Sequence, residues 1–379
     1  MASPAAFGVY VHVPFCARRC DYCAFATWTD RDHLMGPYAR AVRAELDRAR
    51  AGGDLPPATS VYVGGGTPSR LDPALLAEVL GALERRPGCE VTVECNPEDA
   101  SADRFAAWRA AGVTRVSLGV QSTVPHVLES LGRRHGTTEV VGALALAAAA
   151  GFASVGVDLI IGAAAESDAD LEATVECVLG GAHPPAHVSA YGLTVEPGTA
   201  LAADPARHPD DDVVARRYER LDAALEAAGY RWYEVSNWAR PGHECRHNRL
   251  YWAQGDYRGV GCAAHSHLGG RRFWNQRRPE RYIAAVEAGR SPVAGEEVLS
   301  EGERAFEGVA LALRTSAGVP SSVVPDDPAL DGLVERHGDR AVLSVRGRLL
   351  ANEVTVRLGV PGAGGAARGG GGRPVTSLR

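Results

Sequence analysis

Six short runs rich in β-branched residues recur along the first half of the chain, at residues 9–13, 61–63, 91–94, 116–120, 155–161 and 188–193. Each is bounded by Gly, Pro or Asn, which predicts buried strands. The stretches between them show helical spacing, over residues 38–51, 73–86, 102–111, 124–131, 138–150 and 169–179. In the second of these, Leu75, Leu76, Val79, Leu80 and Leu83 fall on one face. Strand and helix thus alternate six times, the pattern of parallel strands joined by helical crossovers. Periodicity leaves two α/β architectures open, a doubly wound sheet and a partial (β/α)6 barrel. Both gather chemistry at the C-terminal ends of the strands. Polar residues cluster there: Cys16, Gly64 to Thr67, Glu94, Gln121, Asp158 and Tyr191.

Beyond residue 208 the alternation stops. A helix is expected over 212–228 and a strand over 232–236, followed by an irregular region rich in His, Gly, Arg and aromatics as far as Pro279. Residues 301–358 read as a small α+β, winged-helix-like domain. Phe306, Val309, Leu311, Leu330 and Leu333 mark amphipathic helices, 341–345 a strand and 346–358 a last helix. The expected division is a core at 1–208, a barrel-completing extension at 209–300, the small domain at 301–358 and a disordered Gly/Ala-rich tail at 359–379.

At 379 residues and 45% hydrophobic content the chain can bury a full core, and its net charge of -6 argues against nonspecific nucleic-acid binding. All 40 basic residues are arginine. The absence of lysine excludes a Schiff base to pyridoxal phosphate, an aldolase lysine and a phosphate-loop lysine. The opening residues lack a signal-peptide pattern, and no stretch reaches the ~20 apolar residues that cross a bilayer. The expected location is therefore cytoplasmic, with at most peripheral contact to a membrane. In a reducing compartment eight cysteines point to metal or redox chemistry rather than disulfides.

Cys16, Cys20 and Cys23 place three thiolates within eight residues, directly after the first strand. Such a loop is short enough to wrap one iron-sulfur cluster. Three ligands leave one iron of a 4Fe-4S cluster open to chelate a cofactor or substrate, with Tyr22 and Phe25 placed to shield the sulfurs. Structural zinc, with His12 or a distant cysteine as fourth ligand, is the competing assignment. It usually needs two paired short spacings, whereas Cys89, Cys95, Cys177, Cys245 and Cys262 are scattered singly.

The sequence CARRCDYC after YVHVPF resembles the signature of the radical S-adenosylmethionine (SAM) superfamily, whose open iron binds SAM and whose cluster cleaves it to a 5′-deoxyadenosyl radical. GGGTP at 64–68 is similar to the glycine motif that receives the methionine end. The ordered series YVHVPFC, VGGGTPS, VECNPE, RVSLGVQS, LGRRHG, VDLI and YGLTVEPGT looks like the coproporphyrinogen III dehydrogenase family. The resemblance implies that Tyr10, Gly65, Gly66, Thr67 and Glu94 line the first SAM site, with Tyr22 near the adenine. It further implies that Gln121, Arg133 and Asp158 match contacts to a second SAM in the dehydrogenase. For Glu94 and Asp158, strand-end carboxylates inside a cavity, a bound polar ligand is the better physical explanation. For Arg133, one of 40 arginines, a solvated surface charge or an ion-pair partner is the commoner fate.

Within that family the chain is closer to the haem-chaperone branch. Phe25 stands where the dehydrogenase has a further cysteine, only fifteen residues precede Cys16, and HNRLYW at 247–252 matches the branch's HNxxYW motif. That motif is implicated in holding haem. The resemblance makes His247 the candidate axial ligand, Tyr251 and Trp252 flat surfaces for a porphyrin, and Arg246, Arg249 and Arg258 partners for propionates. His243, His265 and His267 compete as ligands. One departure lies after the fifth strand, where the family reads GLPGQ and this chain has Gly162-Ala-Ala-Ala-Glu166, without the proline. The implied activity is haem binding and transfer to an acceptor protein, with a 4Fe-4S cluster, SAM and haem as cofactors and an electron donor wherever SAM is cleaved. The alternatives are oxygen-independent coproporphyrinogen III oxidation and radical chemistry on another substrate.

Overall fold

The computed structural model describes residues 5–358, so the tail at 359–379 lies outside the described residues. By internal contacts the chain divides into two compact units. Of the described residues, one comprises 5–251 with 255–297, the other 252–254 with 298–358.

In the first unit, all six expected strands form: β1 (Phe7–Val13), β2 (Ala58–Gly65), β3 (Arg85–Cys95), β4 (Arg115–Gln121), β5 (Ser154–Ile161) and β6 (His187–Gly192). The helices α1 (Met35–Ala51), α2 (Pro73–Gly81), α3 (Ala102–Ala110), α4 (Pro125–Ser130), α5 (Thr137–Ala149) and α6 (Asp168–Leu179) connect them. Each strand pairs in parallel with the next, β1 through β6, in sequence order. Spatial order decides between the two architectures. A doubly wound sheet reverses order at its centre, whereas strands laid down consecutively with one crossover hand put every helix on one face and curl the sheet into a barrel. The chain therefore builds the partial barrel.

Alternation then sorts side chains. Val9, Val11, Val61, Val63, Val91, Val93, Val116, Leu118, Val157 and Leu159 form one buried face, the one a helical layer covers. The opposite, inner face carries Tyr10, His12, Ser60, Tyr62, Thr92, Glu94, Ser117, Asp158, His187 and Ser189. A barrel interior is ordinarily filled by Val, Ile and Leu. Here it is polar.

The helix expected over 73–86 stops at Gly81, because Arg85 already pairs with Ala58 at the start of β3. The expected irregular region is ordered instead. After α7 (Asp211–Ala227), β7 (Arg231–Glu234) and β8 (Asn237–Ala239) form a hairpin that pairs antiparallel with β6. Next come α8 (Arg246–Trp252), β9 (Asp256–Val260), β10 (His265–Leu268), β11 (Arg271–Asn275), α9 (Pro279–Glu287) and β12 (Val293–Val298). β9 adds a seventh parallel strand beside β1, in register from Phe7 with Asp256 to Val11 with Val260.

The second unit packs α10 (Glu301–Ala312) with the three-stranded sheet β13 (Val319–Pro320), β15 (Arg340–Leu343) and β14 (Val334–His337) around Leu313, Val319, Leu330, Leu343 and Val354. Its last helix is two short ones, α11 (Val345–Leu349) and α12 (Ala351–Thr355), broken at Leu350 by backbone angles of φ -110° and ψ 26°. Leu330 sits in a single 3-10 turn and Leu333 outside any helix, so only the first of the expected amphipathic helices there forms.

Candidate active site at the C-terminal end of the barrel

The cysteine loop leaves β1 on a fixed base. Cys16 N–H donates to Trp28 O at 3.0 Å, and Trp28 N–H to Pro14 O at 2.8 Å. From the next strand, Gly66 N–H reaches Val13 O at 2.7 Å and Thr67 N–H reaches Phe15 O at 2.8 Å. Glycine is required at both central positions of the motif. A Cβ on Gly66 would lie 2.8 Å from Val13 O and 2.9 Å from Phe15 O, while Gly65 adopts φ +112° with the His12 ring where its Cβ would go. Bare backbone therefore lies beside Cys16.

All eight cysteines are unpaired. Cys16 is buried, Cys20 and Cys23 half-buried, and Phe25 beside them is 45% exposed. Burial pushes the Cys16 thiol up and the Cys23 thiol up to about 11, so without a metal both keep their protons at neutral pH and iron would displace them. The Thr67 hydroxyl lies 3.4 Å from Cys16 Sγ and Arg133 Nη1 3.6 Å from Cys20 Sγ, donors suited to thiolate charge. Among the described residues no three His, Cys, Asp or Glu side chains converge as one ion would require. A cluster takes each thiolate on a different iron corner and needs no such convergence.

Around this loop the barrel's inner face is incompletely paired. Glu94 accepts from Tyr62 Oη at 2.9 Å and Gly65 N–H at 3.2 Å, with no cation in contact among the described residues. Burial, and then the neighbouring Asp158, push its carboxyl up to about 7. Asp158 accepts from Ser117 Oγ at 3.1 Å, and burial raises it too. Gln121 ends β4 at φ +63°, a left-handed conformation uncommon for a residue with a side chain. Arg133 is no surface charge. Its Nη2 donates to Asn96 Oδ1 at 2.8 Å and Gly119 O at 3.0 Å, while its buried Nε has no partner in the protein. Two raised carboxyls, a strained strand end, an orphaned guanidinium N–H and a glycine cradle suit a zwitterionic ligand with a carboxylate and an ammonium group. The residues present fit SAM beside a three-cysteine cluster.

Tyr22 packs with Val127, Leu131, Ile160, Ala163, Leu193 and Leu201, an apolar wall at the strand ends. Tyr10 Oη lies 3.1 Å from His12 Nδ1, and His12 Nε2 lies 2.9 Å from Ala26 O. Since a carbonyl only accepts, Nε2 carries the proton and Nδ1 accepts from the tyrosine. Burial lowers His12 to about 4, so the ring stays neutral. His12 thus ties Tyr10 to the far end of the cysteine loop, a role sequence reasoning missed. The alternation that puts Tyr10 and His12 on one face was the available signal.

The segment that lacks the family's proline is held by charge. Gly162 N–H donates to Glu166 Oε2 at 2.7 Å, and Arg217 Nη1 meets the same oxygen at 3.0 Å. Arg217 also donates to Glu166 O and reaches Asp168 Oδ1 at 3.3 Å. Arg217 and Glu166 are both buried.

HNRLYW packs beneath this site and touches it only through Tyr62, which bonds Glu94. α8 lies at the opposite end of the barrel, where Arg246 and His247 N–H groups donate to Glu90 Oε1 at 2.9 and 3.3 Å. His247 is 0% exposed, with Nδ1 3.0 Å from Ser60 Oγ and Nε2 2.8 Å from Tyr251 Oη. Its ring stacks on Tyr62 at 5.6 Å. With both nitrogens engaged, it offers no lone pair to iron in this structure. Tyr251 likewise spends its hydroxyl on His247 and its ring edge on Tyr257. Of the expected propionate partners, Arg246 donates to Gly88 O, Arg258 is buried beside Glu45 and Phe273, and Arg249 is exposed.

The radical SAM superfamily model matches residues 10–178. The haem chaperone HemW of Mycobacterium tuberculosis is 46% identical over 367 residues, covering 92% of this chain and 93% of its own length. That of Bacillus subtilis is 31% identical, covering 91% and 97%, and that of Escherichia coli 38%, covering 68% and 69%. Among solved structures, coproporphyrinogen III oxidase of Escherichia coli, a radical SAM enzyme, matches with a TM-score of 0.80 at 22% identity over 93% of this chain and 89% of its own, a likeness of fold. The chain belongs to the radical SAM superfamily and, within it, to the family of the haem chaperone HemW.

Proposed function

We propose that this protein binds haem and hands it to an acceptor protein, carrying a 4Fe-4S cluster on Cys16, Cys20 and Cys23. The observation that carries this reading is the match to HemW along nearly the whole chain, beyond the barrel that all radical SAM proteins share. Phe25, in place of the dehydrogenase's further cysteine, supports it. A cluster with one open iron supplies a chelating site for SAM and a single electron when a donor protein provides one. Gly65 and Gly66 would let the backbone approach that ligand, Glu94 would receive its ammonium group, and the unpaired Arg133 Nε would offer a donor to a carboxylate. Gln121 and Asp158 close the inner wall.

Haem is cargo in this reading, and His247 would reach its iron only by releasing Ser60 or Tyr251. The cysteine loop instead presents Phe25, with exposed Arg18 and Arg19 nearby, as a flat apolar surface edged by guanidinium groups suited to propionates. No described helix is long and apolar enough to cross a membrane. Anaerobically reconstituted protein titrated with haem is expected to shift the Soret band. The same protein, incubated with coproporphyrinogen III, SAM and a reductant, is expected to yield no protoporphyrinogen. An unshifted Soret band, or accumulating protoporphyrinogen, contradicts the reading.

A further inference from the structure

The cysteine loop has few tethers of its own. Ala17, Arg18, Arg19, Ala24 and Phe25 are exposed, and its internal bonds include Cys23 N–H to Cys20 O at 3.2 Å and Arg19 to Cys23 O. Between Ala17 and Phe25, the backbone hydrogen bonds to the rest of the fold converge on one residue, Asp21, which lies between Cys20 and Tyr22. Its N–H donates to Leu131 O at 3.3 Å, and its carbonyl accepts from Leu201 N–H at 2.9 Å. Its carboxylate accepts from Arg207 Nη2 at 2.8 Å, and the same nitrogen donates to Ser130 O. Gly132, at φ +72°, lets the chain pass against it; a Cβ there would lie 2.7 Å from Asp21 Oδ1. Leu201 and Leu193, on the segment after β6, pack in the same apolar wall as Tyr22. His208 Nε2 bonds Leu201 O at 3.1 Å and closes that segment on itself.

We propose that residues 193–208 form a strap across the cysteine loop, latched by Arg207 on Asp21, and that this latch governs how firmly the protein keeps its cluster. Arg207 is a positioning residue, acting through Asp21 on the flanking Cys20 and Cys23. The ion pair is nearly a third exposed, with side-chain exposures of 30% and 27%, so it adds little to global stability. Its leverage is local. A chelator reaches the irons when the loop opens, and local opening depends on the few contacts that hold that loop. The role rests on the three cysteines being the cluster ligands.

The test compares parent and Arg207→Met in two states. In reconstituted protein, iron release to a chelator is followed by loss of the cluster absorbance. In metal-free protein, tryptic cleavage after Arg18 or Arg19 is mapped by mass spectrometry, a readout that needs no cluster. Arg207→Met is expected to release iron and accept cleavage about fivefold faster with an unchanged thermal midpoint, the scale of a partly exposed ion pair. Arg207→Lys, which keeps the charge, is expected to recover much of the difference. Release at the parental rate overturns the strap. So does faster release accompanied by an equal loss of global stability. A parent that takes up no iron overturns the ligand assignment and the role with it, while the metal-free digest shows whether the latch itself exists.

Discussion

The two ends of this barrel use the same kinds of side chain to opposite effect. At the end where β1 to β3 begin, His247, Ser60, Tyr251 and Glu90 satisfy one another, and the imidazole, lowered to about 3 by burial, stays neutral. At the end where the strands finish, Glu94 and Asp158 are half-buried with hydroxyl and amide partners but, among the described residues, no cation in contact, Arg133 Nε is buried with no partner among them, and Gln121 bends left-handed. A polar group that is buried and fully paired holds a fold together. One that is buried and incompletely paired costs stability and marks the place where a ligand completes it. Polarity inside a barrel is therefore not the sign of a site. Unmet polarity is.

Substitutions at the two ends should move stability in opposite directions. The largest effect is expected from His247→Leu, which strands the hydroxyls of buried Ser60 and half-buried Tyr251 at about 1–3 kcal/mol each. Denaturant unfolding should show a loss of about 4 kcal/mol, while haem and SAM titrations of the folded fraction stay at parental values. A weakened haem titration at unchanged stability would reverse the assignment of HNRLYW to the fold.

Glu94→Gln should do the reverse, raising stability while weakening SAM binding. In the folded protein its carboxyl is lifted from 4.5 to about 7, so the fold is favoured by this group below pH 4.5 and loses that advantage as pH rises through about 7. At 1.36 kcal/mol per pH unit the penalty above pH 7 is about 3 kcal/mol. Glu94→Gln should therefore be the more stable protein at pH 8 by up to that amount, and the gap should close toward pH 4.5. A gap that is independent of pH would show that the carboxylate is not desolvated as described.

Much of this was legible in the sequence, for reasons that follow its physics. The six strands announce themselves because β-branched runs alternate with helical spacing, and the cysteine spacing is local by nature. β9 escaped because Asp256–Val260 is short, contains a glycine and becomes a strand only by pairing with β1, far away in sequence. The HNRLYW motif was visible but its place was not, since burial and the hydrogen bonds to Ser60 and Tyr251 are tertiary facts. Arg133 was marked by its motif, but its hold on Asn96, Gly119 and Cys20 is a tertiary fact. Asp21 and Arg207 are 186 residues apart, and no pattern in either segment announces the other.

The central claim is that the open polarity at the strands' C-terminal ends receives SAM at a three-cysteine cluster. Electron paramagnetic resonance of the reduced, reconstituted protein with and without SAM tests it most directly. A cluster signal whose g-values change on adding SAM, and change less in Glu94→Gln at equal SAM, is the expected result. Superimposable spectra with and without saturating SAM would contradict it.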